Sequence, residues 1–124
     1  MNGLMKSITM KKIKIGYSDY KIIDNDDEKL DGQFIHTDKV ITITPSLSSS
    51  DRLNTLIHEI LHGVWLHWGV GETIKTKNAE EAIITSIANG LTNVIRDNPE
   101  FLPNLNELAQ SKDWNDQTGN SRIS

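Results

Sequence analysis

The stretch from Leu53 to Trp68 most restricts what this chain can become. Leu53, Leu56, Ile57, Ile60, Leu61, Val64 and Trp68 recur at three- and four-residue steps, the spacing of one face of an α-helix. Ser48 followed by Asp51 gives a capping signal ahead of the run, and Gly69 and Gly71 punctuate its far end. A helix from Ser49 to Trp68 is predicted. Within it lies His58-Glu59-Ile60-Leu61-His62. Positions four apart share a helix face, so both imidazoles can reach a single metal ion. Glu59 projects about 100° further round the axis, where it can attend a water on the ion without filling the coordination shell. A helical wheel sets the two histidines on the flank beyond Leu61 and Trp65, so that one face packs on a core while its neighbour lines a cleft.

Composition narrows the chemistry. The chain has 124 residues and no cysteine, which fits one small domain without disulfides and excludes thiolate metal sites and cysteine nucleophiles. A metal would have to rely on His, Asp and Glu, a donor set that suits zinc. The net charge of −4 comes without a basic stripe interleaved with aromatics, so no nucleic-acid partner is expected. Lys6, Lys11, Lys12 and Lys14 read as strand-edge charges. No apolar run is long enough to cross a bilayer, and the N-terminus lacks the apolar core of a signal peptide, so a cytoplasmic protein without membrane contact is expected.

The remaining chain reads as one α+β domain over residues 1–110. Residues 1–7 look like a loose leader, and alternation from Ile8 to Tyr17 predicts a strand that Tyr20 to Ile23 either continues or follows as a second piece. Asp24 to Glu28 reads as a solvated acidic turn. Gln33–His36 and Val40–Thr44, separated by Thr37-Asp38-Lys39, read as a hairpin. A polar link runs through Lys77, then a second helix spans about Asn78 to Arg96, with Gly90 suggesting close approach to another helix. A short helix is expected from Pro99 to Gln110, and residues 111–124 as a disordered tail.

A catalytic zinc site needs a third protein ligand. His67 lies nine residues beyond His58, which turns it about 180° away. His36 has no spacing argument behind it. Glu80 and Glu81, at the start of the second helix, are the carboxylate candidates. On the wheel Glu80 points along the centre of the apolar face formed by Ile83, Ile84, Ile87 and Leu91, whereas Glu81 lies toward one edge, above Ile84 and Ala88. Burial favours Glu80.

Thr55 to Gly63, Glu81 to Leu91, Arg96-Asp97-Asn98-Pro99-Glu100 and the upstream hairpin together resemble the small zincin-type metallopeptidases of bacteriophages and mobile elements. They are more distantly similar to the ImmA/IrrE group, which regulates such elements by cutting repressors. The resemblance covers roughly residues 10–105. It implies a minimal zincin-like α+β fold, with a small antiparallel sheet or hairpin packed on the motif helix and on a second, glutamate-bearing helix. It also implies a gluzincin-like zinc site in which His58, His62 and Glu81 are ligands, Glu80 being the alternative, and Glu59 is the general base. The register of the second helix favours Glu81, although Ile84 and Ile87 depart from the group's alanine and phenylalanine. The implied activity is hydrolysis of a peptide or protein substrate, with Val40–Thr44 as the strand that pairs with it. Tyr17, Tyr20 and His36 are candidates for an oxyanion donor. The alternative is a degenerate, non-catalytic zincin that binds a host or phage partner.

Overall fold

A computed structural model of the chain describes residues 10–26 and 29–112. The expected leader, Asp27-Glu28 of the acidic turn and residues 113–124 of the expected tail lie outside the described residues. These residues fall into two compact units that divide between Thr92 and Asn93.

The first unit opens with two hairpins. β1 (Lys12–Ile15) and β2 (Ser18–Asp24) are antiparallel, with Gly16-Tyr17 as their turn. The Tyr20–Ile23 piece is therefore a second strand, not a continuation of the first. β3 (Gly32–Ile35) and β4 (Val40–Ile43) form the other antiparallel pair. Their turn ends at Lys39, whose φ of 56° lies in the left-handed region.

The hairpins join through a parallel pairing of β2 with β4, giving the order β1-β2-β4-β3. The sheet is thus mixed, not wholly antiparallel. β4 sits inside it with both edges paired, which overturns the expectation that Val40–Thr44 receives a substrate strand. The cause is legible in its side chains. Val40-Ile41-Thr42-Ile43 is nearly continuously apolar, and Ile41, Thr42 and Ile43 are all buried, as befits a strand covered on both faces. The edge strands are β1 and β3.

α1 (Ser49–His67) begins where the capping signal places it, the Ser48 Oγ accepting from the Asp51 amide at 3.1 Å. Arg52 Nη2 donates to the carbonyls of Pro45 and Leu47, both at 3.0 Å, fixing the connection from β4. Leu56 and Ile60 pack on the core formed by Ile15, Tyr20, Ile22, Ile41 and Ile43, together with Phe34 and Leu47. Two glycines let the helix come this close. A Cβ on Gly63 would stand 2.9 Å from Ile15 Cδ1, and one on Gly32 would stand 2.6 Å from Thr55 Cγ2 and 2.7 Å from the Thr42 carbonyl oxygen.

The expected polar link includes a single turn of helix, α2 (Val70–Thr73), before α3 (Lys77–Asp97). Thr76 Oγ1 accepts from the Ala79 amide at the start of α3. The buried line along α3 is Ile84, Ala88 and Thr92, and Asn54 of α1 donates to Asn89 Oδ1 at 2.9 Å and to Thr92 Oγ1 at 3.2 Å. This face is rotated from the one the apolar count suggests, since Ile87 and Leu91 are exposed. Gly90 is not a close-approach glycine, because a Cβ there would meet nothing within 4 Å.

The second unit contains the end of α3 and α4 (Phe101–Ala109). Asn98 Nδ2 donates to the Val94 carbonyl, and the Phe101 amide donates to Asn98, turning the chain between the two helices. Among the described residues, no helix is long and apolar enough to cross a membrane.

Candidate metal centre

His58 and His62 project from adjacent turns of α1, their ring centroids 5.0 Å apart. The rotated buried face of α3 turns Glu81 toward them. Glu81 Oε1 lies 3.2 Å from His58 Nε2, and Glu81 Oε2 lies 3.1 Å from His62 Nε2. One donor atom from each of the three residues falls within 4.8 Å of the other two. Donors held about 2.0–2.1 Å from a tetrahedral ion stand roughly 3.3 Å apart. Each imidazole Nε2 has one Glu81 oxygen near that spacing, Oε1 for His58 and Oε2 for His62, and two imidazoles with a carboxylate suit a divalent metal ion. His58, His62 and Glu81 form a group on two helices that can hold a metal ion.

Glu80 stands elsewhere. Its Oε2 lies 2.7 Å from His62 Nδ1, the ring nitrogen on the other side from Glu81. In the tautomer with the proton on Nδ1, Glu80 accepts that hydrogen bond, and Nε2, on the Glu81 side, is left to bind a metal. A carboxylate on the outer nitrogen of a ligating histidine fixes its tautomer and raises its basicity. The consecutive glutamates, competing alternatives on the helical wheel, thus meet different nitrogens of the same ring.

Glu59 points into the protein, with 7 % of its surface exposed and no hydrogen bond to another described residue. Burial pushes its carboxyl up to about 7, opposed by the nearby His62 and reinforced by Glu81. Glu59 and the triad line a cleft of about 340 Å³. Its far wall is Leu30, two residues before β3, with Gly32, Gln33 and Phe34 of that strand, and Lys77 completes it from the first turn of α3. The edge position of β3 and the placement of Lys77 escape the sequence reading. Lys77 has one signal available, since it stands four residues before Glu81 and shares its helix face.

None of the three oxyanion candidates lines this cleft. Tyr17 is 99 % exposed in the β1–β2 turn. Tyr20 is fully buried, its hydroxyl 2.7 Å from His36 Nδ1 and 2.8 Å from His67 Nε2. Burial, Lys39 and His67 together hold the His36 imidazole below its ordinary value. His36 and His67 therefore belong to a separate cluster and take no part in the triad.

Comparison of the chain with protein-family models, curated proteins and solved structures returns no significant match.

Proposed function

We propose that the chain is a zinc-dependent peptidase of the zincin type, with His58, His62 and Glu81 as metal ligands and Glu59 as general base. The observation that carries this reading is the convergence of the three donors beside a buried, otherwise unbonded carboxylate at the wall of an open cleft. Zinc held there supplies Lewis-acid polarisation of the scissile carbonyl and acidification of water.

The remaining steps belong to the chain itself. Glu59, with a carboxyl poised near neutrality, takes the proton of the attacking water and delivers it to the departing amine as the C–N bond breaks. Glu80 holds the His62 ring in orientation. An extended peptide adds to the free edge of β3, with its backbone crossing the cleft over Gly32 and Phe34.

Two measurements test the reading. Elemental analysis of the purified chain should find zinc at about one ion per chain, lost in His58→Ala. Mass-spectrometric digestion of a peptide library should show cleavage that falls about 10²- to 10⁴-fold in Glu59→Gln, with zinc retained. Zinc-free wild-type protein that refuses loading, or undiminished cleavage by Glu59→Gln, would overturn it. Retained metal with no cleavage by the wild type would favour a binding role.

A further inference from the structure

The cleft facing the triad has one cationic side chain in its wall. Lys77 lies one helical turn before Glu81, so both occupy the same side of α3. Among the described residues, no carboxylate lies within ion-pair distance of Lys77. The nearby acids are engaged elsewhere, Glu80 with His62 and Glu81 with both histidines. Leu30, Gln33 and Phe34 on the facing wall carry no charge. Among the described residues, Lys77 is thus the cation on the cleft wall that no carboxylate pairs, and it is placed to meet a bound peptide.

We propose that Lys77 recognises a carboxylate on the substrate, so that the site selects peptides with an acidic group flanking the scissile bond. This inference rests on the metallopeptidase reading and adds a substrate class to it. The placement follows from lengths. A helical turn rises about 5.4 Å and an extended peptide about 3.3 Å per residue, which puts the recognised group within about two residues of the attacked carbonyl. That group is either an acidic side chain or a C-terminal carboxylate. Lys77 is exposed, and its ammonium is a strongly hydrated point charge, so the selection is modest, about three- to tenfold.

Metal-directed probes separate the sources without relying on turnover. Three malonyl hydroxamates are titrated into the zinc-loaded full chain by calorimetry. One ends in aspartate amide, one in asparagine with a free C-terminus, and one in asparagine amide as the neutral reference. At least one charged probe should bind about three- to tenfold more tightly than the reference, and its identity names the source. In Lys77→Met the three should bind alike, whereas Lys77→Arg should restore the preference. Equal binding of all three to the wild type, or a preference that survives Lys77→Met, overturns the inference and leaves the metal site standing. Failure of every probe to bind the loaded chain refutes the metallopeptidase reading and this inference with it.

Discussion

Removing the Glu80 carboxylate should weaken zinc binding although Glu80 is not a proposed ligand. The contact from His62 Nδ1 to Glu80 Oε2 is 2.7 Å, and the two side chains are only 13 % and 23 % exposed, so water screens it little. Loss of such an outer partner typically reduces metal affinity about 10- to 100-fold, or about 1.4–2.7 kcal/mol. Glu80→Ala should therefore shift zinc affinity, read by competition with a chromophoric chelator, by that amount. Glu80→Gln keeps an acceptor without the charge and should fall between Glu80→Ala and the wild type. Glu81→Ala deletes a proposed ligand and should cost more than either. The decisive comparison is a double-mutant cycle. If Glu80 acts through the His62 ring, adding Glu80→Ala to His62→Ala should bring almost no further loss. The reasoning is refuted if Glu80→Ala binds zinc within twofold of the wild type, or if its cost is undiminished in the His62→Ala background.

Two further perturbations test the packing and electrostatics beneath the site. Gly32→Ala should destabilise the fold by about 1–3 kcal/mol in urea denaturation, and more than Gly63→Ala, because the new methyl meets the Thr42 backbone oxygen at 2.7 Å whereas at Gly63 it meets side chains alone, Ile15 Cδ1 at 2.9 Å and Phe34 Cε1 at 3.1 Å. An equal or smaller loss for Gly32→Ala would contradict the close approach at β3. In the metal-stripped chain the raised Glu59 carboxyl predicts a pH dependence of its own. Its ordinary value is 4.5 and its folded value about 7, so its contribution is fully present below 4.5 and is lost as pH rises through about 7. Metal-free Glu59→Gln should accordingly gain on the wild type by up to about 3 kcal/mol between pH 5 and pH 8. A stability difference that stays flat across that range would show that Glu59 is not held in an apolar setting.

The motif helix was legible because its periodicity, cap and terminal glycines all agree, and Ser48 and His67 bound it within a residue of expectation. The hairpin from Gly32 to Ile43 was legible for a similar reason. The parallel pairing of β2 and β4 was not, because nothing local in a strand names its non-local neighbour. Counting apolar residues also misjudged α3. Ile87 and Leu91 strengthen one face on paper, yet the smaller Ala88 and polar Thr92 face inward, with Thr92 meeting Asn54. That rotation turns Glu81 to the histidine Nε2 atoms and leaves Glu80 for the outer nitrogen. His36 and His67 lie 31 residues apart in the chain, and only the tertiary fold brings both to Tyr20.

The Tyr20 hydroxyl has one proton to share between two rings. Donating it to one imidazole obliges the other to supply an N–H, and because the hydroxyl meets His36 at Nδ1 and His67 at Nε2, the two neutral rings must share one tautomer, both Nε2–H or both Nδ1–H. The final turn of α1 is thereby moored to β2 and to the bend after β3, beyond the histidines that face the cleft. The motif helix consequently has a rear anchorage whose integrity does not depend on an ion, and its axial position can be set before any metal arrives.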